Sequence, residues 1–319
     1  MLPGAVQHFS AAQHARGAAV EAGATGSGGA AGVAARRVPD VYDIDTPLDW
    51  TPLWSLSHQR VRWLPTAYCY REVPWSDDRR YVINDSNGRA AGNCLEEAVL
   101  QGFLELVERD AVAIWWYNRV RRPVFDLDAF AEPYFTALRA HFDGLGWELW
   151  ALDLTHDLGI PVCAALARER GRGRWCVGFG CHLDARLAVM RGLTELCQLF
   201  DPSEARREPW DAGAMPSIEY LLPGDGTRGP GDFAEVAPDD LRDAVALCVE
   251  RAARAGLETL VLDLSRPDVD LSVVMVNVPG LRHFWPRFGP GRLYTVPVKM
   301  GWRAVPLAEA ALNPVPLFL

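Results

Sequence analysis

The sequence of 319 residues predicts a mixed α/β chain of the α+β class. Short apolar runs typical of strands alternate with amphipathic, helix-like segments along most of its length. Apolar residues make up 49% and charged residues 23%, which is the usual balance of a soluble globular protein with a sizeable core. The composition therefore disfavours collagen-like, coiled-coil and disordered classes for the chain as a whole.

The individual elements are predicted from local pattern. Runs rich in β-branched and aromatic residues and bounded by turn residues indicate strands. These runs are residues 60–70, 80–84, 147–152, 160–167, 175–179, 259–262 and 272–278. Helical periodicity marks residues 128–141, 184–200 and 238–255, together with the run 94–122, which contains no proline.

The first 40 residues are expected to form a disordered tail. Residues 17–37 consist almost wholly of Ala and Gly, so they bury too little apolar surface to offset the entropy of an ordered backbone. From Val41 onward the composition changes, and several tryptophans follow closely between prolines and charges. We therefore place the globular domain at residues 41–319.

Charge and cysteine usage limit the classes of partner. The chain has 32 basic and 41 acidic residues, a net charge of −9, which opposes binding to nucleic acid or an anionic membrane.

The sequence has no long apolar run that would span a membrane and no apolar signal sequence at its start. Its 7 cysteines form no C-x-x-C pair and are expected to be reduced. We expect a cytoplasmic protein.

The most informative segment is residues 93–110. On a helix with about 100° of rotation per residue, one side carries Asn93, Glu97, Glu105, Glu108 and Arg109. Close carboxylates favour a cation, and Mg²⁺ takes oxygen ligands that it commonly shares with substrate phosphates. The segment therefore predicts a nucleotide–magnesium site, with a solvated helix face as the alternative. The sequence has neither a Walker A loop nor a G-x-G-x-x-G turn after a strand, so a P-loop or Rossmann site is not expected.

Three residues of this helix depart from the ideal pattern. Gly102 lies in the middle, where it costs about 1 kcal/mol relative to Ala. Glu96 and Asp110 project toward the apolar side. The helix ends or the register must therefore differ locally from the ideal.

A second helix, over residues 184–200, carries another polar stripe. Its members are Asp184, Arg191, Glu195 and Gln198. Since a surface helix would show the same periodicity, a water-facing stripe is the equal alternative. The three histidines His156, His182 and His283 have no partner that the sequence reveals.

The central residues resemble the signature of the YcaO proteins, in particular the azoline-forming cyclodehydratases of thiazole/oxazole-modified peptide biosynthesis. The signature residues are Ser86-Asn87-Gly88, Ala91-Gly92-Asn93, Glu97-Ala98, Glu105-x-x-Glu108-Arg109-Asp110-Ala111 and Trp115-Trp116. The likeness continues in order as far as Leu312-Asn313-Pro314. Residues 41–319 are thus identified as a partial YcaO-like domain.

This resemblance implies an ATP-dependent enzyme that acts on backbone amides of a ribosomal precursor peptide. A Cys, Ser or Thr side chain adds to the preceding amide carbon, the oxygen is phosphorylated by ATP, and loss of phosphate leaves a thiazoline or oxazoline. A catalytically inactive scaffold that binds a peptide or partner protein is the alternative from another class. Thioamide or amidine formation is the alternative within the enzyme class.

The resemblance also implies the cofactors ATP and Mg²⁺ and the residues that contact them. The nucleotide contacts would be Asn93, Glu97, Glu105, Glu108, Arg109, Glu195 and Gln198. The metal ligands among them would be Glu97, Glu105 and Glu108.

Two departures from the family pattern shape the remaining expectations. The usual upstream Ser-x-x-x-Glu-x-x-Glu-Arg helix is not found before Trp50, so the chain is expected to lack the N-terminal portion of the domain. The family's Pro-x-Pro-x-Pro tail corresponds to Pro314 and Pro316, with Phe318 in place of the third proline. A catalytic role is implied for the tail residues Pro314, Pro316 and Leu319, with a packed terminus as the alternative.

The resemblance also implies an E1-like peptide-recognition partner in trans, and a homodimer is a further expectation.

Overall fold

The computed structural model describes residues 1, 6–21, 38–71, 80–201, 215–234 and 238–317. Within them the helices are α1 (Ala11–Glu21), α2 (Thr66–Cys69), α3 (Leu95–Asn118), α4 (Pro133–Gly144), α5 (Ala185–Leu199), α6 (Leu241–Arg254) and α7 (Arg292–Lys299). The strands are β1 (Trp50–Ser55), β2 (Arg60–Pro65), β3 (Arg89–Gly92), β4 (Val124–Phe125), β5 (Trp147–Asp153), β6 (Val162–Glu169), β7 (Trp175–Cys181), β8 (Thr227–Arg228), β9 (Leu260–Asp263) and β10 (Ser272–Asn277). The mixed α+β class predicted from the sequence is confirmed. None of the described helices is both long and apolar enough to cross a membrane.

The chain divides into two compact units. The first comprises Met1–Leu106 and Asp240–Arg292, and the second comprises Val107–Asp239 and Leu293–Leu319. Helix α3 starts in the first unit and ends in the second.

The sheet of the first unit has the strand order β2-β1-β9-β10-β3. All of its neighbouring strands are antiparallel. Strand β1 alternates strictly between buried and less buried residues, which is the pattern of a sheet with one face on the core. Its buried Leu53 packs in a cluster with Leu64, Leu260 and Met275.

The sheet of the second unit has the order β7-β6-β5-β4-β8, antiparallel except for the β4–β8 pair. Every residue of β7 is buried. Glycines bring this strand unusually close to helix α5, because a Cβ atom at Gly178 would lie 2.2 Å from the Leu196 nitrogen and one at Gly180 would lie 2.3 Å from the Ala188 oxygen.

Three predicted elements differ from the structure. The strand expected at 60–70 ends at Pro65, which cannot donate a ladder hydrogen bond, and α2 follows it. The strand expected at 80–84 is not formed, and Ile83 instead accepts a hydrogen bond from Gln7 Nε2 at 2.7 Å. The helix expected from residue 128 begins at Pro133, since residues 127–131 form turns.

The structure also differs from the predicted N-terminal tail. Residues 11–21 form α1, which starts with a reciprocal pair of hydrogen bonds: Gln13 N to Ser10 Oγ (3.0 Å) and Ser10 N to Gln13 Oε1 (3.1 Å). Gln13 also accepts a hydrogen bond from Phe288 N at 2.8 Å. Polar side chains thus supply the contacts that the Ala/Gly composition lacks. Residues 22–37, where the Ala/Gly content is highest, lie outside the described residues.

Gly102 has a packing role in the first unit. A Cβ atom at this position would lie 2.7 Å from the Gly88 oxygen and 2.9 Å from Val276 Cγ2. The glycine therefore permits a close approach between α3 and the turn before β3, which explains a residue that costs helix stability.

Replacing Gly102 by Ala should destabilise the protein by about 1–3 kcal/mol, because the backbone oxygen of Gly88 has little room to move. Urea unfolding measures this change. Gly144→Ala is the matched control: a Cβ there meets nothing within 4 Å, so stability should stay constant or rise by less than about 1 kcal/mol. Equal stability of Gly102→Ala and the parent protein would contradict the close approach.

Candidate active site

The N-terminal end of α3 holds Glu97 in a defined conformation. Glu97 lies in the first helical turn, where a negative charge is favoured by the helix dipole. Its Oε2 accepts hydrogen bonds from Asn93 N at 2.7 Å and Asn93 Nδ2 at 3.0 Å. The structure therefore brings together two predicted site residues.

Glu105 is held by the backbone of the turn before β3. Gly88 has a φ of +73°, which glycine adopts without strain, and its N–H donates to Glu105 Oε2 at 3.0 Å. Asp85, in the same turn, is partly buried, and loss of contact with water raises its pKa. The charge of Glu105 raises that pKa further, while Arg287 and Arg89 oppose the rise. A carboxylate pair thus lies beside two guanidinium groups in the first unit.

Glu108 and Arg109 form an ion pair in the second unit. Arg109 Nη1 lies 3.1 Å from Glu108 Oε1, and the side chains are 16% and 13% exposed. Burial, followed by the charges of Asp153 and Glu108, raises the pKa of the Cys163 thiol well above its usual range. The Glu108 charge on α3 therefore affects the ionisation of a side chain on strand β6.

Asp110 and His156 form a fully buried polar pair, and the sequence does not reveal that these two residues meet. Asp110 Oδ2 and His156 Nε2 are 3.1 Å apart, and both side chains are 0% exposed. Asp110 projecting toward the apolar side of α3 was the available signal, because a buried carboxylate requires a partner. What the sequence could not show was that His156 supplies it.

Helix α5 carries the other predicted nucleotide residues. Asp184 caps the helix, accepting hydrogen bonds from Arg186 N at 2.7 Å and Leu187 N at 3.3 Å. Glu195 accepts a hydrogen bond from the backbone N–H of Phe179 in β7. Gln198 is exposed. Arg191 Nη1 donates to the Cys181 oxygen of β7 at 3.1 Å. The polar stripe therefore consists of one capping residue, two residues bonded to the sheet and one exposed residue.

The C-terminal segment packs on the end of α3 in the second unit. Trp116 Nε1 donates to the Val315 oxygen at 2.7 Å, and Asn313 N donates to the Tyr117 oxygen at 2.8 Å. Leu317 is fully buried, whereas Pro314 is exposed and Pro316 is intermediate. These contacts favour a packed terminus, and the catalytic role of Pro314 and Pro316 stays a prediction. Leu319 lies outside the described residues.

Carboxylates are the type of ligand that magnesium takes when it arrives with a nucleotide. Among the described residues, no three His, Cys, Asp or Glu side chains form a group that could hold a metal ion by themselves. Mg²⁺ usually binds through one or two carboxylates together with substrate phosphates, so a complete protein cage is not required. The assignment of Glu97, Glu105 and Glu108 as metal ligands remains a prediction.

Comparison with known proteins identifies the family. A sequence model described as YcaO cyclodehydratase, ATP- and Mg²⁺-binding, matches residues 6–282, and the chain belongs to this family. The match begins inside the segment predicted as a tail.

Three relatives illustrate the likeness. A heterocyclase solved in complex with substrate and cofactor is 44% identical, with a TM-score of 0.90, and the match covers 100% of this chain and 43% of that chain. The YcaO protein from Methanopyrus kandleri, solved with AMPPCP and Mg²⁺, is 25% identical, with a TM-score of 0.61 over 77% of this chain and 68% of that one. An uncharacterized protein from the tfuA 3′ region of Rhizobium leguminosarum bv. trifolii is 32% identical over 219 residues, 61% of this chain and 52% of its own length. The chain thus spans about half the length of the heterocyclase and of the Rhizobium protein.

Truncating Leu317 should test the packed terminus. Leu317→Ala removes a side chain that is 0% exposed, so the free energy of unfolding should fall by about 2–4 kcal/mol. Pro314→Ala, at an exposed position in the same segment, should change it by less than about 0.5 kcal/mol. Denaturant unfolding compares the two, and equal stabilities would show that this terminus does not pack as described.

Proposed function

We propose that the protein is an ATP-dependent cyclodehydratase subunit that activates backbone amides of a ribosomal precursor peptide. Cys, Ser or Thr side chains of that peptide then close into thiazolines or oxazolines. The observation that carries the proposal is the partly buried Glu108–Arg109 pair within a chain whose family model is described as ATP- and Mg²⁺-binding.

The chemistry suits these side chains. The peptide nucleophile adds to the amide carbon, and the oxygen of the adduct is a poor leaving group until it carries a phosphoryl group. ATP supplies that group, and expulsion of phosphate leaves the C=N bond of the ring. Phosphoryl transfer depends chiefly on positioning and charge neutralisation. The guanidinium fork of Arg109 can contact two phosphate oxygens, and Glu108 would share Mg²⁺ with the phosphates.

Like Arg109 and Glu108, the other predicted nucleotide contacts divide into groups for the nucleotide's oxygens and ligands for the metal. Asn93 is an amide donor for phosphate or hydroxyl oxygens, and Glu97 and Glu105 are oxygen ligands for the metal. Glu195 and Gln198 are proposed nucleotide contacts from α5. The hydrogen bonds to Asn93, Gly88 and Phe179 support this proposal because they fix the three glutamates in definite conformations.

Partners belong to the proposal as well. The related heterocyclase was solved with its substrate, and this chain covers 43% of that protein. We propose that recognition of the precursor peptide is shared with an E1-like partner protein acting in trans, and that the chain can form a homodimer.

An inactive YcaO-like scaffold that binds a peptide without ATP turnover is the second candidate. Thioamide or amidine formation would use the same activation of the amide by ATP.

Incubating the chain with precursor peptide, partner protein, ATP and Mg²⁺ should remove one water mass from the peptide per ring, because each closure expels the activated oxygen. EDTA should stop the reaction, since the carboxylates and the phosphates need a shared metal. Mass spectrometry and phosphate release report the outcome. A peptide with Ala in place of its Cys, Ser and Thr residues is the control, and peptide binding without phosphate release would favour the scaffold.

Arg109→Lys should weaken Mg·ATP binding about ten-fold or more, because an ammonium group cannot make the paired contacts of the guanidinium fork. The melting temperature should change little, since Lys can still pair with Glu108. Calorimetry measures the affinity. Arg139→Lys is the matched control, because Arg139 pairs with Asp128 on the surface of the same unit at 2.6 Å. Early unfolding of Arg109→Lys with normal ATP binding once folded would assign Arg109 a structural role only.

A further inference from the structure

The buried Asp110–His156 pair is a feature of the second unit that the proposed function leaves unused. Asp110 follows Arg109 directly in α3, while His156 lies in the segment between β5 and β6. Their side chains are 0% exposed and 3.1 Å apart. A buried polar pair at this position, one residue after the proposed phosphate-binding arginine, calls for a physical reason.

The surroundings of His156 define how the imidazole is held. Leu158 N–H donates to Nδ1 at 3.3 Å, and this acceptor role assigns the ring proton to Nε2, the atom that lies 3.1 Å from Asp110 Oδ2. Asp157 Oδ1 lies 3.6 Å from Nδ1. The other oxygen of Asp157 pairs with Lys299 Nζ at 3.0 Å, and the Lys299 side chain is 59% exposed. The contacts thus run from α3, through the segment after β5, to α7.

Stability alone does not account for such a pair. Two buried polar partners are often replaceable by apolar side chains of similar volume without loss of stability, whereas removal of one partner leaves a costly buried charge. What the polar pair provides and an apolar pair does not is a contact between two specific polar atoms, 3.1 Å apart. This contact restrains the α3 turn that carries Glu108 and Arg109, relative to the segment after β5.

We propose that His156 is a positioning residue: by holding Asp110, it orients the helical turn of Glu108 and Arg109 for contact with Mg·ATP. This inference rests on the proposed function. His156 itself need not touch the nucleotide, so its contribution is to preorganise the groups that do.

The test is the affinity for Mg·ATP, measured by calorimetry on the chain. His156→Leu should raise the dissociation constant at least about ten-fold, in the range seen when supporting partners of ligand groups are removed. His156→Gln keeps an N–H donor within reach of Asp110 and should recover most of the affinity. His141→Leu is the matched control, an exposed histidine of the same unit, and should bind like the parent protein.

A double variant separates positioning from folding if His156→Leu does not fold. Asp110→Leu combined with His156→Leu removes the buried charge together with its partner, so the melting temperature should stay near that of the parent protein. Weakened Mg·ATP binding by this folded variant would support positioning. Parent-like affinity in the double variant, or failure of His156→Gln to improve on His156→Leu, would overturn the inference while leaving the proposed function intact. Absence of Mg·ATP binding by the parent protein would overturn the proposed function, and the inference with it.

Discussion

The constraint on which the rest of this structure depends is that a carboxylate removed from water needs a donor. Helix α3 has 24 residues and carries several acidic side chains within or near the protein interior. The donor differs from one carboxylate to the next: Glu97 is held by Asn93, Glu105 by the Gly88 N–H, Glu108 by Arg109 and Asp110 by His156. Of these four carboxylates Asp110 is the fully buried one, and an unpaired buried charge costs several kcal/mol, so the contact with His156 restrains where this part of the helix can lie.

The helix and its irregularities could be predicted from the sequence because both are local properties. The absence of proline and the 3.6-residue period indicated α3 to within a few residues of its ends. Glu96 and Asp110 departed from the period, and both have distant partners: Glu96 pairs with Arg242 at 2.9 Å and Asp110 with His156. The partners themselves could not be predicted, since a period describes the face of one helix and not the element that meets it.

Predictions made from composition were wrong for two segments whose structure is set by contacts of a few residues. The Ala and Gly content of residues 17–37 suggested a tail over the first 40, although Ser10 and Gln13 have the spacing of a reciprocal helix cap. The apolar character of residues 80–84 likewise suggested a strand. In the described structure these residues are not part of a strand, and Gln7 donates a hydrogen bond to the Ile83 oxygen. Tertiary contacts, not average hydrophobicity, set the structure of both segments.

The way in which each proposed ligand group is held determines how it responds to mutation. Glu105 and Glu195 accept hydrogen bonds from backbone N–H groups, so no single substitution of a donor side chain can release them. Their positions depend on close backbone approaches, which glycines permit at Gly102 beside Gly88 and at Gly178 beside α5. Asp110 pairs with the side chain of His156. Substitutions that disturb the proposed nucleotide site without touching it should therefore concentrate at these glycines and at His156.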